Sequence, residues 1–198
     1  MSHKPFSQAC ENNKEPILQV LRQVFAKTSY VLEIGSGTGQ HACYFAKHLM
    51  HLIWQPTDKP ENISGINVWQ EQAQLTNLKP ALALDITDEV WPCKALDAVF
   101  TANTLHIMSY KEVQIGLDRL SKQLNPKALL CIYGPFNYNG HYTSESYERF
   151  EHWLKSQNSL SGIKNIEDIV SLATDQGLSL IHDYDMPANN RLLVLQKN

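Results

Sequence analysis

The segment Val31-Leu32-Glu33-Ile34-Gly35-Ser36-Gly37-Thr38-Gly39 constrains this chain more than any other. A short apolar run of strand character carries one acid, Glu33, and ends at Gly35. Glycines then recur at alternate positions, and a helical pattern begins at Gln40. A loop with three residues lacking a Cβ can adopt left-handed dihedrals and let a ligand lie against the backbone. The helix that follows directs its unpaired N–H groups toward the same place. A strand, glycine loop and helix in this order predict a nucleotide-like cofactor held by Gly35, Ser36, Gly37 and Gly39.

Spacing narrows the cofactor. The dinucleotide fingerprint is G-x-G-x-x-G, whose third glycine permits close helix–strand packing. Here the pattern is G-x-G-x-G, and Gln40 occupies the place of that third glycine. With the acid two residues ahead, Glu33-x-Gly35-x-Gly37-x-Gly39 resembles motif I of the class I S-adenosylmethionine-dependent methyltransferases, and the resemblance adds Glu33 to the expected cofactor-binding residues.

The 198 residues suit one domain, 1–198, with a sizeable core. A content of 43% apolar and 19% charged residues fits a globular protein. No apolar run approaches the roughly 20 residues of a membrane span. The stretch Met1 to Lys14 is polar, without the apolar core of a secretory signal. Cys10, Cys43, Cys93 and Cys131 form no C-x-x-C pair and read as reduced thiols of a cytoplasmic protein. A net charge of −3 without Lys/Arg clusters disfavours nucleic acid and leaves a small molecule as the expected partner. His48 and His51 lack a carboxylate at useful spacing, so no metal site is expected. No G-x-x-x-x-G-K-[ST] or G-x-S-x-G pattern occurs.

Periodicity predicts a helix over Lys14–Ala26, with Pro16 in its first turn, and a strand over Tyr30–Ile34. A helix over Gln40–Met50, a strand over His51–Thr57 and a helix over Asn62–Leu75 follow. Next come strands at Ala81–Leu84 and Ala95–Thr101, and a helix over Tyr110–Leu124 closed by Asn125-Pro126. A strand over Ala128–Tyr133 stops at Gly134-Pro135, and a polar, aromatic loop follows it. Helices are expected over Ser144–Ser156 and Ile166–Gln176, then strands at Leu178–Tyr184 and Arg191–Gln196. Alternation of strand and helix implies an α/β, Rossmann-like fold: seven strands, mostly parallel, with helices on both faces. The short last connection, without a helix, makes the final strand antiparallel.

Ligands of such sheets bind beyond the carboxyl ends of the strands, which selects the candidate residues. Asp58 ends the second strand, about 20 residues past the glycine loop, where a carboxylate accepts from ribose hydroxyls. Asp85 and Ile86 end the third; as an alternative, Asp85 caps a turn with Thr87 and Asp88. Trp91 suits an adenine cover or the core equally. Asn103 follows the fourth strand, near the amino-acid end of a cofactor, and His106 is a candidate base. After the fifth strand, Phe136, Asn137, Tyr138 and His141 suit a substrate lid, with Tyr133 just before them. Asn189 and Asn190, in the last turn, either face the pocket or serve the turn itself. The catalytic candidates are His106, Tyr133, Tyr138 and His141.

Longer stretches carry a closer resemblance. Asn12-Asn13-Lys14-Glu15-Pro16-Ile17-Leu18, Leu32 to His41, Gly134-Pro135-Phe136, Gly162-Ile163-Lys164-Asn165 and Met186 to Asn190 resemble the methyltransferase-like protein 26 family. That resemblance implies a class I fold and an S-adenosylmethionine site, with S-adenosylhomocysteine as product. The acid after the third strand would take the adenine amino group, while the apolar residue beside it packs on the ring. No Pro-Pro-aromatic motif follows Asn103, which disfavours DNA adenine and glutamine amide as acceptors. The expected activity is methyl transfer to a small acceptor. Alternatives are a non-catalytic S-adenosylmethionine-binding scaffold and, on the same kind of sheet, a nicotinamide-dependent oxidoreductase.

Overall fold

A computed structural model describes residues 4–198. Met1, Ser2 and His3 of the polar N-terminal stretch lie outside the described residues. Strands β1 (Tyr30–Ile34), β2 (Ile53–Asp58), β3 (Leu82–Ala83), β4 (Leu96–Ala102), β5 (Leu124–Gly134), β8 (Leu178–Asp185) and β9 (Arg191–Lys197) form one sheet. Its order is β3-β2-β1-β4-β5-β9-β8. Pairing is parallel from β3 to β5, and β9 runs antiparallel to both β5 and β8. The expected seven-stranded, mostly parallel sheet with a reversed last strand is therefore the observed one.

The inner strands are buried on both faces, which is why they read as continuous apolar runs and not as alternating ones. On one face α1 (Gln8–Val24), α2 (Gln40–His48) and α3 (Ile63–Ala73) cover Val31, Trp54 and Phe100. Phe45 of α2 meets Trp54 and Phe100 at centroid distances of 5.4 and 5.3 Å, within the range of favourable aromatic pairs. Fully burying each such ring contributes about 1.5–3 kcal/mol. On the other face α4 (Tyr110–Ser121) and α6 (Ile166–Asp175) pack Val113, Leu117 and Ile169 over Leu32, Val99 and Leu130. Helix α5 (Glu145–Gln157) stands apart on a small cluster of Tyr147, Leu154 and Ile163.

Three details correct the sequence-based expectation. Helix α1 starts at Gln8, capped by Ser7, so Pro16 lies inside the helix and not in its first turn. Its first two turns are polar because they face other polar groups, so they carry no apolar period to reveal them. Helix α4 ends at Ser121, and β5 starts at Leu124 and runs through Pro126. A bulge makes this possible: Leu96 pairs Leu124, but Ala98 pairs Leu129, with Lys127 at φ +67°. Proline is tolerated in a strand at such a bulge. Finally, the segment after β5 is not wholly a loop. Strand β6 (Phe136–Asn137) pairs in parallel with β7 (Lys164–Asn165), and Tyr138-Asn139-Gly140-His141 closes a tight hairpin with φ of +51° and +75° at its centre.

Candidate functional site

Beyond the carboxyl ends of β1, β2 and β4 lies a cleft of about 810 Å³, inside the range of about 300–1,000 Å³ usual for small-molecule sites. The glycine loop forms its floor. Ser36 N donates to Thr57 O at 3.0 Å, pinning the loop to β2. Gly35 has φ +71°, and a Cβ there would stand 2.3 Å from Thr104 Cγ2, so only glycine fits. Thr104 is itself fixed: Thr101 Oγ1 donates to Ile34 O at 2.9 Å, leaving Thr104 to donate to Thr101 at 2.5 Å. Gly37, at φ +57°, has open space where a Cβ would be. Ser36 Oγ is buried beside it without a hydrogen-bond partner among the described residues. Gly39, at the start of α2, instead packs on Ile66 of α3 and does not line the cleft.

Asp58, buried at the end of β2, borders the same floor. Its Oδ2 accepts from Gly37 N at 2.6 Å, and its Oδ1 accepts from Lys59 N and Asn62 Nδ2 at 2.7 Å each. Asp85 lines the cleft too, but its Oδ1 caps the turn, accepting from Thr87 N and Oγ1. Its Oδ2 lies 3.1 Å from Lys59 Nζ. Burial pushes the Asp85 carboxyl up, yet the Thr87 bonds and the Lys59 ammonium outweigh it and leave the pKa below its ordinary value. Ile86 forms an apolar wall, standing where a side chain on Gly116 would clash at 2.6 Å. Trp91 belongs to the core and donates to Asp88 O.

Glu33 lies beneath the loop, not in the cleft. It is buried and accepts from Trp54 Nε1 at 2.9 Å. Burial pushes its carboxyl up to about 7, against the pull of the Trp54 bond and of the nearby Ser36 hydroxyl, and Asp58 pushes the same way as burial.

The opposite end is built by α1, β5, α5 and the loop after β4. Asn103, at φ +59°, lines it and donates its N–H to Tyr133 O. Asn13 Oδ1 sits 2.7 Å from His41 Nε2, so that nitrogen is the donor. Burial lowers His41 to about 4. Burial also pushes the Tyr133 phenol up to about 12, against a pull from the Asn13 amide. His106 is lowered to about 4, first by burial and then by the charge of Lys164. Its ring stacks edge-on against Phe150 at 5.2 Å. The backbone beside it is clasped: Gly162 N donates to His106 O, Ser161 Oγ to Ile107 O and Lys164 Nζ to Met108 O. Glu151 of α5 completes the clasp by accepting from Ile163 N at 2.5 Å.

Thus the structure brings Gly35, Ser36, Gly37, Asp58, Asp85, Ile86, Asn103, His106, Tyr133 and Asn190 to one cleft. Phe136, Asn137, Tyr138 and His141 are not among its lining residues. Phe136 is buried in the core. Asn137 is buried in the β6–β7 pair. Tyr138 donates to Asp183 on β8 at 2.7 Å, and His141 is exposed at the hairpin. Asn189 holds φ +61° in the turn, while Ala188 and Asn190 reach the cleft. Sequence reasoning assigned no role to Asn13, His41, Tyr147 or Phe150. Tyr147 and Phe150 stand three residues apart on one helix, the spacing of a shared face and the one signal that pointed to them. Among the described residues, no group of three or more His, Cys, Asp or Glu could hold a metal ion.

Sheet order, reversed β9 and glycine loop together define the Rossmann-like fold of the methyltransferase class. An O-methyltransferase family protein from Burkholderia thailandensis superposes with a TM-score of 0.82 at 17% identity, over 93% of this chain and 56% of that one. An O-methyltransferase family 2 protein from Planctomyces limnophilus, solved with apigenin, gives 0.82 at 16% identity, over 96% and 58%. The S-adenosylmethionine-dependent methyltransferase SibL gives 0.81 at 18%, over 96% and 55%. The chain spans little more than half the length of these structures, and at such identities the likeness speaks for the fold alone. By sequence, the chain belongs to the family described as protein of unknown function DUF938, matched over residues 4–197.

Proposed function

We propose that the protein is an S-adenosylmethionine-dependent methyltransferase acting on a small molecule. One observation carries this reading: an open-sided glycine loop, the Asp58 carboxylate and the Ile86 wall meet at the switch point of the sheet, where such folds bind nucleotides. The residues present suit the cofactor. Gly37 leaves room for a ligand on the backbone, and the unpartnered Ser36 Oγ offers a polar contact. Asp58 retains lone pairs for ribose hydroxyls, Ile86 offers a face for adenine, and Asn103 stands by the amino-acid end. The resemblance to the methyltransferase-like protein 26 family and the solved methyltransferases of this fold support the same choice over a nicotinamide cofactor. So does Gln40, whose side chain fills the place of the third dinucleotide glycine.

Bound there, S-adenosylmethionine supplies an electrophilic methyl group. The chain's own part is alignment and exclusion of water, which can lower a barrier by up to roughly 7–11 kcal/mol. Asn103 and the glycine loop orient one partner, while Asn13, Tyr133 and α5 enclose the other. A base is needed only for an acceptor that carries a proton, and is worth about 10²–10⁴-fold. His106 is the candidate: it faces the cleft, is neutral near pH 7 and makes no ring hydrogen bond among the described residues, while burial, by holding it at about 4, makes it a weaker base than a free imidazole. Four unpaired cysteines agree with a reducing, cytosolic setting, and the family match supports one domain. Incubation with methyl-labelled S-adenosylmethionine and a small-metabolite extract tests the reading. Label should enter the low-mass fraction, and its absence there with wild type, or its persistence with Asp58→Ala, would contradict it.

A further inference from the structure

The charged side chains lining the cleft gather at one end. Asp58, Lys59, Asp85 and Glu112 lie together there, with Lys59 paired to Asp85 and in the field of Glu112. The other end presents Asn13, His41, His106, Tyr133, Tyr147 and Phe150, and no charged side chain lines it among the described residues. Three cations stand close behind this end, and all are engaged: Lys14 pairs with Glu11. Arg191 pairs with Asp183 and Asp185, and Lys164 Nζ turns to the carbonyls of Met108 and Gly162. The two histidines add no charge at neutral pH, since burial holds each at about 4.

This arrangement selects by solvation. A carboxylate or phosphate would leave water without meeting a countercharge, which costs several kcal/mol per ion. An ammonium group would find no carboxylate lining this end among the described residues, and Glu11 and Glu151 behind it are held by Lys14 and Lys155. The walls, by contrast, are flat and aromatic. Phe150 meets His106 edge-on, and Tyr147 is fixed by its hydroxyl, which donates toward Asn190 Oδ1 and Ala188 O at 3.3 and 3.4 Å. The polar atoms on offer are neutral hydrogen-bonding groups, and the His106 ring nitrogens are unengaged among the described residues.

We infer that the uncharged end takes a neutral planar acceptor, an aromatic or heteroaromatic molecule packed on Phe150 and Tyr147 whose hydroxyl or ring N–H meets His106. The inference rests on the methyltransferase reading, because it is the cofactor that would fill the charged end. Its test is a titration of S-adenosylhomocysteine-loaded protein with 2-naphthol and 2-naphthoate at pH 7.5, followed by calorimetry. Naphthol should bind at least about tenfold more tightly. Phe150→Ala should weaken naphthol about tenfold while S-adenosylhomocysteine still binds as to wild type, which also shows the variant folded. Equal or tighter binding of naphthoate, no naphthol binding to the loaded protein, or an unchanged naphthol affinity in folded Phe150→Ala would overturn it. The wild-type comparison stands whether or not that variant folds. Failure of S-adenosylhomocysteine itself to bind would instead overturn the cofactor reading, and this inference with it.

Discussion

The Gln40 carboxamide pairs with the backbone of Ser7 as a neighbouring strand would: Ser7 N donates to Oε1 at 2.6 Å, and Nε2 donates to Ser7 O at 3.3 Å. The same Nε2 reaches Glu11 Oε1 at 2.7 Å, and Oε1 also accepts from Thr38 Oγ1 at 3.0 Å. The residue that replaces the third dinucleotide glycine therefore fastens the start of α1 over the glycine loop. Asn13, which meets His41 in the cleft, is held there by that fastening. Gln40→Ala removes four hydrogen bonds, each worth about 0.5–1.5 kcal/mol net. Thermal unfolding should show Tm lower by roughly 4–24 °C. S-adenosylhomocysteine affinity should fall with it, and an unchanged Tm would contradict the fastening.

Glu33 makes stability depend on pH in an unusual direction. Its folded carboxyl titrates at about 7, above the ordinary 4.5, so the folded chain holds a proton that the unfolded chain has lost. This group's stabilisation is complete below about 4.5 and is lost as pH rises through 7. The loss approaches roughly 3 kcal/mol. His41 and His106, lowered to about 4, act oppositely: their contribution is present above 6.5 and is lost as pH falls toward 4. Tm of Glu33→Gln minus that of wild type, measured from pH 5 to 8, isolates the carboxyl and should rise with pH. A flat difference would contradict a buried, protonated Glu33.

Gly116 leaves room for Ile86, since a Cβ there would stand 2.6 Å from Ile86 Cδ1 and Cγ1. Gly116→Ala should push Ile86 into the cleft. S-adenosylhomocysteine should then bind about tenfold more weakly. Alanine also favours a helix by about 1 kcal/mol over glycine, partly offsetting the strain in stability. Calorimetric titration beside thermal unfolding separates the two effects.

The clasp on His106 predicts a local response. A Cβ at Gly162 would stand 2.8 Å from Glu151 Oε1. Gly162→Ala should therefore loosen the grip of residues 161–164 on residues 106–108, costing about 1–3 kcal/mol. Hydrogen exchange should quicken at the amide of Gly162, which donates to His106 O, while Ser36 N in the glycine loop stays protected.

Much of this fold was legible because buried parallel strands such as Tyr30–Ile34 read as apolar runs, and Gly35 can be nothing else beside Thr104. The reversed β9 was legible because its connection is too short for a crossover. The end of the cleft beside the glycine loop was legible because Asp58 and Ile86 sit where strands end. The other end was not, because it is assembled by tertiary packing. Asn13 arrives on polar turns of α1 with no periodic signal, and Phe150 on a helix that packs apart from the main core. Phe136 and Tyr138 mislead for a related reason. An aromatic after a strand can turn inward as well as toward a ligand, and here one enters the core and the other bonds Asp183.

Thermal unfolding with S-adenosylhomocysteine or NAD, on wild type and Asp58→Ala, tests the cofactor assignment most directly. A ligand at 100 times its Kd stabilises by about 2.7 kcal/mol, which should raise Tm by roughly 5–10 °C. The account predicts that shift for wild type with the adenosyl ligand, little shift with NAD, and a diminished one in Asp58→Ala. A shift with NAD alone, or an undiminished adenosyl shift in Asp58→Ala, would contradict it.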